Sequence, residues 1–116
     1  MNKDLKKISV YIASPYTLGD VAKNVHKQMQ VADALIEHGF FPFVPLYSHF
    51  QHMCFPREYV EWIRLDNFWV EKCDCILRLT GESKGADEEV RLAEKNGIPV
   101  FHTVNEVVKY YWNNSV

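Results

Sequence analysis

Short β-rich runs and longer segments with apolar residues at helical spacing alternate through almost the whole chain, and this alternation constrains its fold most strongly. Strands joined by helices favour a parallel sheet with right-handed crossovers, because each helix carries the chain back across one face of the sheet. The sequence contains no internal repeat, linker or low-complexity tract. We therefore expect a single α/β domain over residues 1–116, with the element order β-α-β-α-β-α-β-α.

One of the β-rich runs indicates how the strands are arranged. The second run contains Pro42 and Pro45, and proline is confined to sheet edges because it cannot donate a ladder hydrogen bond. The strand order 2-1-3-4 puts this run at an edge, so we expect a flavodoxin- or Rossmann-like three-layer sandwich with about four parallel strands. The predicted strands cover residues 8–13, 40–45, 73–79 and 98–102.

The helical segments show which apolar residues should face the sheet. In the first helix the face predicted to be buried includes Val25, Met29, Ala32, Leu35 and Ile36. A stretch rich in Tyr, His and Phe between the second strand and the second helix is predicted to be a loop. This loop covers residues 46–56, and the predicted helices cover residues 18–38, 56–72, 85–96 and 105–112.

Composition and charge exclude several classes of protein. The formal net charge is −2 and no run of basic residues occurs, so duplex nucleic acid is not an expected partner. The first apolar stretch is too short for a secretory signal or a membrane span. The three cysteines, Cys54, Cys73 and Cys75, are an odd number and form no recognisable disulfide framework, which fits a reducing cytosol. We therefore expect a cytoplasmic protein without membrane association.

The candidate site lies where the strand order reverses, because ligands of such sheets bind there, at the carboxyl ends of the strands. The loops at residues 13–19 and 80–85 should form it. Ser83 and Gly85 open the helix after strand three, and a helix N-terminus favours an anion such as phosphate. The alternative for Ser83 is an ordinary helix N-cap.

Glu89 is the candidate for an attacking carboxylate. It lies about 60° from the centre of a helix face that is predicted to be buried, whereas Glu88 lies almost opposite and should be in solvent. A carboxylate at that margin is partly desolvated and close to the positive end of the helix dipole, which suits a nucleophile that must be ionised. The face consists of Ala86, Val90 and Ala93.

Asp66 lies at the margin of the buried face of the preceding helix and could approach the same cleft. The alternative is a solvated carboxylate that pairs with Arg64 or Arg57. The residues predicted to be buried in this helix are Val60, Ile63 and Val70.

Four residues near the first strand complete the candidate site. Tyr11, two residues before the end of that strand, is either a core tyrosine or a hydroxyl that orients the attacking carboxylate. Ser14 and Tyr16 follow in the first loop and could contact a sugar or a phosphate. Asn24, early in the first helix, is a further candidate contact or a surface residue.

The pair His49 and His52 has a spacing that invites a metal interpretation. We expect no metal, because structural zinc sites usually show four ligands in recognisable pairs and no further ligand stands at a fixed offset here. His49 and its neighbours should instead line or cover the cleft. Aromatic residues on which a base could stack are Tyr47, Phe50 and Phe55.

Taken in order, these motifs resemble the nucleoside 2-deoxyribosyltransferase-like superfamily, in particular short members such as nucleotide N-hydrolases. The resemblance covers roughly residues 8–103. It implies that Glu89 attacks the anomeric carbon, that Tyr11 positions it, and that Asp66 acts near the base or a sugar hydroxyl. It also implies that Ser83 holds a 5′-phosphate and that no cofactor is needed. The motifs are VYIASPY at 10–16, GFFPFVP at 39–45, RLD at 64–66 and S-x-G-x-x-x-E-x-x-x-A at 83–93.

The expected function is therefore cleavage of the N-glycosidic bond of a nucleoside or nucleoside 5′-monophosphate. The alternatives are a nucleoside 2-deoxyribosyltransferase, a nucleotide-binding module without catalysis, and a structural oligomerisation domain. A homodimer or larger homo-oligomer is expected, because several apolar residues exceed what one small core can hide. These residues are Phe68, Trp69, Val107, Val108, Tyr110, Tyr111 and Trp112.

Overall fold

A parallel four-stranded sheet forms the centre of the computed structural model, which describes residues 7–113. The strands are β1 (Ser9–Ala13), β2 (Phe41–Phe43), β3 (Cys75–Arg78) and β4 (Val100–Phe101). The helices are α1 (Val21–Glu37), α2 (Ser48–Cys54), α3 (Tyr59–Lys72), α4 (Lys84–Lys95) and α5 (Val104–Val108). A short 3₁₀ turn, Pro45–Tyr47, precedes α2, and a π-helical turn, Lys109–Asn113, continues α5.

The strand order is β2-β1-β3-β4, so the predicted α/β fold class and the predicted order are confirmed. The proline-bearing strand β2 lies at an edge, as expected. β1 pairs with β3 through the register Val10 with Cys75 and Tyr11 with Ile76. The carboxyl ends of these two neighbouring strands are followed by the two loops that were predicted to form the site.

Alternation along β1 divides the core into two clusters, because successive strand residues point to opposite faces of the sheet. Val10 and Ile12 point to the face covered by α1 and α5, in a cluster without charged residues. Tyr11 and Ala13 point to the face covered by α3 and α4, which contributes smaller residues such as Ala86. The three layers of the fold follow from these two faces.

Two predicted helix faces are wrong in detail. Met29 and Ile36 are exposed, because α1 is rotated so that Gln28 and Val31 point inward instead. In α3 only Val70 is buried, and Val60 is 61% exposed. The reason is that the last turns of α3 lie over the sheet, whereas its first half borders a cavity.

The stretch predicted as a loop, residues 46–56, is largely helical, since it contains the end of the 3₁₀ turn and all of α2. The next helix begins at Tyr59 and not at Pro56. α2 is connected to α3 by a side-chain hydrogen bond, in which Nε1 of Trp62 donates to Nδ1 of His52 over 2.8 Å. This contact is distant in sequence, so local patterns do not predict it.

The apolar residues near the C-terminus were expected to exceed the core, but most of them belong to it. Val107 is buried, and Trp112 stacks on Phe40 with ring centroids 4.8 Å apart. Phe68 and Trp69 on α3 are 51% and 41% exposed. The prediction of a homodimer now rests on the exposure of these two residues, and it stays a prediction. Within residues 7–113 no helix is both long and apolar enough to cross a membrane.

Candidate active site

A cavity of about 270 Å³ opens at the carboxyl ends of β1 and β3. Both predicted loops contribute to its wall, together with residues of α3 and α4. The cavity therefore lies at the point where the strand order reverses, which is where the sequence predicts the site. Of the candidate site residues, those that line it are Ser14, Tyr16, Asp66, Ser83, Gly85 and Glu89.

Glu89 lines this cavity and contacts Tyr11, which is buried behind it and does not line the cavity. The hydroxyl of Tyr11 donates a hydrogen bond of 2.7 Å to Oε2 of Glu89. Tyr11 is fixed by its strand, is completely buried and stacks on Phe43. Glu89 is 9% exposed, while Glu88 is in solvent, as the helical spacing predicts. The first two turns of α4 thus carry one carboxylate into the cavity and leave the adjacent one outside.

The pKa of Glu89 is raised to about 7, chiefly because burial penalises the charged carboxylate. The hydrogen bond from Tyr11 opposes this shift, because it stabilises the ionised form, and the positive charge of Arg78 does the same. The negative charge of Asp66 adds to the increase. Glu89 therefore changes its charge near neutral pH, as a nucleophile or acid–base group at an enzyme site often does.

Asp66 projects from α3 into the same cavity, and burial raises the pKa of its carboxyl to about 7. The alternative partner Arg57 pairs with Glu61 instead, over 2.7 Å. Asp66 also borders a second cavity, of about 410 Å³, with Trp62 and Trp69 in its wall. Asp66 thus lies between the first cavity and an aromatic one.

The two carboxyl groups differ in their surroundings. Glu89 receives the hydrogen bond from Tyr11 and lies nearer the charge of Arg78, and both favour the carboxylate. For Asp66 burial is the cause of the shift, and it favours the protonated form. Both pKa values are about 7, so around neutral pH each carboxyl occurs in both protonation states, and these include the form with Glu89 ionised and Asp66 protonated. This arrangement suits a nucleophile with a neighbouring proton donor.

Ser83 caps α4, since its Oγ accepts a hydrogen bond of 3.1 Å from the backbone N–H of Ala86. The N-cap alternative is therefore correct, but it leaves the hydroxyl proton of Ser83 available to a ligand. Lys84 also lines the cavity. At Gly85 an added Cβ would lie 3.6 Å from the hydroxyl oxygen of Tyr59, which is an ordinary contact. The entrance of α4 thus offers a hydroxyl, an ammonium group and a helix dipole to an anion.

Three side chains hold the first loop in its conformation. Nδ2 of Asn24 donates 2.9 Å hydrogen bonds to the backbone carbonyls of Tyr16 and Leu18. The hydroxyl of Tyr16 lies 2.6 Å from Nδ1 of His49. Asn24 and His49 do not line the cavity, although both were predicted to contact substrate. Their contacts are with the loop that carries Ser14 and Tyr16.

The second loop is fixed by Arg78 at the end of β3. Its guanidinium donates to the carbonyls of Leu79 and Gly81 and forms an ion pair of 2.9 Å with Asp87 on α4. Gly81 has a φ of +120°, and a Cβ atom added there would lie 2.7 Å from Cγ of Pro15 in the first loop. The two loops at the cavity are therefore in direct contact, and only glycine fits at position 81.

Residues 8–103 match a family model described as a domain of unknown function, DUF7768. The chain belongs to this family. Among solved structures it is similar to the 2-deoxyribosyltransferase of the psychrotolerant bacterium Bacillus psychrosaccharolyticus, with a TM-score of 0.60 and 20% identity. That match covers 91% of this chain and 94% of the other. No curated protein sequence matches the chain. The predicted nucleoside 2-deoxyribosyltransferase-like fold is thus confirmed for this member of the DUF7768 family.

Sequence reasoning missed several residues around the site of this DUF7768 domain. Gln28 lines the cavity from α1, although nothing in the sequence around it distinguishes it from a solvent-exposed glutamine. The second cavity is bordered by Trp62, Trp69 and Tyr47, whereas Phe50 and Phe55 line neither cavity. Within residues 7–113 no group of three or more His, Cys, Asp or Glu side chains is placed to hold a metal ion.

Proposed function

We propose that the chain cleaves the N-glycosidic bond of a nucleoside or nucleoside 5′-monophosphate, with Glu89 as the nucleophile. The observation that carries this proposal is the buried Glu89 carboxylate, which lines a cavity and accepts a hydrogen bond from the hydroxyl of Tyr11. A positioned carboxylate of this kind forms covalent intermediates at anomeric carbons. The likeness in fold to a 2-deoxyribosyltransferase supports a nucleoside as the substrate class.

In the first step an oxygen of Glu89 bonds to C1′ of the sugar as the C1′–N bond breaks. The electron pair of that bond leaves with the base, and the protonated carboxyl of Asp66 supplies a proton to the departing nitrogen. Tyr11 keeps the attacking carboxylate in one orientation throughout, because burial raises its own pKa well above its usual value and the phenol stays protonated.

In the second step water releases the sugar. The water oxygen bonds to C1′, its proton passes to the carboxylate of Asp66, and the ester bond to Glu89 breaks with its electron pair returning to Glu89. Both carboxyl groups are then in the states from which they started. The cycle needs no metal and no organic cofactor.

A 5′-phosphate fits the entrance of α4. The hydroxyl of Ser83 keeps a free proton to donate, Lys84 carries a positive charge, and the helix N-terminus adds its dipole. These groups lie on the same cavity wall as Gly85, which has no side chain to obstruct the ligand. A nucleoside 5′-monophosphate is therefore our preferred substrate, and hydrolysis our preferred reaction.

Transfer of the sugar to a second base is the other candidate, and the 2-deoxyribosyltransferase fold match favours it. The aromatic cavity that adjoins Asp66 could hold an incoming base. In that reaction the acceptor nitrogen replaces water in the second step, and Asp66 accepts the proton from it. Addition of a free base distinguishes the two reactions, because only transfer yields a new nucleoside.

The test is a panel of ribo- and 2′-deoxyribonucleosides and their 5′-monophosphates, scored by chromatography for free base. We expect Glu89→Ala to fold and to release base at least about 10³-fold more slowly than wild type. Glu88→Ala is the matched control, because it removes an exposed carboxylate from the adjacent position of α4.

Two results would overturn the proposal. One is turnover by Glu89→Ala at the wild-type rate. The other is a panel from which the wild-type chain releases no base, and binding of a panel member by calorimetry would then favour a nucleotide-binding module without catalysis.

A further inference from the structure

Gln28 on α1 is completely buried, and all its polar groups are engaged within the protein. Its Nε2 donates to the carbonyl of Ile12 over 3.0 Å and to Oγ of Ser14 over 2.8 Å. Its Oε1 accepts a hydrogen bond of 3.1 Å from the backbone N–H of Leu46. One side chain therefore connects the last residues of β1, the first loop and the turn after β2.

These contacts lie in the wall of the candidate active site. Ser14 and Leu46 line the cavity together with Gln28 itself. An apolar side chain of similar size would leave a carbonyl, an N–H and a hydroxyl with fewer partners, which is costly for buried groups. The shape of this part of the cavity therefore depends on the side-chain amide of Gln28.

The direction of the hydrogen bond between Gln28 and Ser14 determines what Ser14 offers to a ligand. A glutamine amide nitrogen carries two protons and no lone pair to accept with, and both protons of Gln28 are used. The Ser14 oxygen accepts one of them, so the hydroxyl proton of Ser14 cannot be donated back to that nitrogen. It is free for an oxygen acceptor in the cavity.

We infer that Gln28 is a positioning residue, which fixes Ser14 as a hydrogen-bond donor to a sugar or phosphate oxygen of the substrate. This inference rests on the proposed function for the identity of the substrate. It states that Ser14 is the donor in its contact with the substrate, and that the side chain of Gln28 on α1 is the reason.

The test is a double-mutant cycle with Gln28→Glu, Ser14→Ala and the combination, with Gln30→Glu as control. A carboxylate at position 28 accepts from the Ser14 hydroxyl and so turns its proton away from the cavity. We expect each single variant to raise KM about 10-fold with kcat within about threefold, and the double variant to add nothing further. Gln30→Glu adds the same charge on the exposed side of α1 and should resemble wild type.

A merely structural role predicts a different pattern. The effects of Gln28→Glu would then be the same in the presence and absence of the Ser14 hydroxyl, and the effects on KM would multiply. That multiplication would overturn the inference while leaving the proposed function intact. Should Gln28→Glu fail to fold, Gln28→Met takes its place in the cycle. Should both fail, an unchanged KM in Ser14→Ala overturns the inference.

Calorimetry with ribose 5-phosphate separates this inference from the proposed function, because binding of the sugar phosphate needs no turnover. We expect its Kd to rise about 10-fold in Ser14→Ala and in Gln28→Glu, but not in Gln30→Glu. If the Kd values change in this way but no panel member releases base, the proposed cleavage reaction is wrong and the positioning role of Gln28 is supported. If ribose 5-phosphate does not bind and no base is released, both are overturned.

Discussion

The two faces of the sheet differ in what they bury. The face under α1 and α5 packs Val10, Ile12, Cys75 and Leu77 in an apolar cluster. The opposite face, under α3 and α4, brings a buried tyrosine from the same strand against the carboxylate of Glu89. One strand therefore supplies hydrophobic packing and a polar site from alternate residues, which only its two-residue period allows.

This difference shows which face of the sheet stabilises the folded state and which face destabilises it. Apolar burial on the first face stabilises the fold. On the second face, two carboxyl groups have pKa values raised to about 7, so keeping them ionised in the cavity destabilises the folded state. Substitutions on the two faces should consequently have opposite effects on the unfolding free energy.

Leu77→Ala should produce the largest change. Leu77 is completely buried in the apolar cluster, and its truncation should lower the unfolding free energy by about 3 kcal/mol. Denaturant titration measures the loss, and base release by the folded fraction should retain the wild-type KM. A loss below about 1 kcal/mol would show that this face does not dominate stability.

Glu89→Gln should raise the unfolding free energy at pH 7 by about 2 kcal/mol while abolishing turnover. The folded state holds the proton of Glu89 up to a pKa of about 7, whereas the ordinary pKa of a glutamate is 4.5. The wild-type chain therefore loses stability as pH rises between these values, and the glutamine variant does not. Urea titrations at pH 4 and pH 7 test this. A difference that is the same at both pH values would contradict it.

Tyr11→Phe should have the smallest effect of the three substitutions. It should change how kcat/KM depends on pH. Without the donated hydrogen bond the ionised form of Glu89 is less favoured, so its pKa rises further. The acidic limb of kcat/KM for base release should move up by about one pH unit. Tyr110→Phe, at a half-exposed position, serves as the control. An acidic limb that does not move would argue against Tyr11 acting on Glu89.

The sequence was sufficient for the architecture. Helical and strand periods identified the elements, and Pro42 with Pro45 indicated the edge strand, so the order of the sheet could be predicted. Boundaries and exposed faces were less predictable. Val60 has the right spacing for a buried position, but its side chain is exposed in the structure. Periodicity predicts which residues share one face of a helix, but it does not predict which part of the protein that face packs against.

The site was predictable only in part, for a related reason. Glu89 and Ser83 follow from their places in α4, because helix geometry and capping are local. Gln28 binds residues that are 14, 16 and 18 positions away in the chain, so nothing near it distinguishes it from a solvated glutamine. The aromatic cavity beside Asp66 likewise depends on how α2 packs against α3, through His52 and Trp62.

The contact between Gly81 and Pro15 limits how proteins with this fold can diverge. A side chain at position 81 would meet Pro15, so the second loop cannot gain bulk there unless the first loop moves. Single substitutions that alter substrate choice are therefore easier to accommodate on the wall formed by α3, where Tyr59 and Ile63 border the cavity. Under the proposed function, new specificity should therefore arise more readily on this α3 wall than at the two loops.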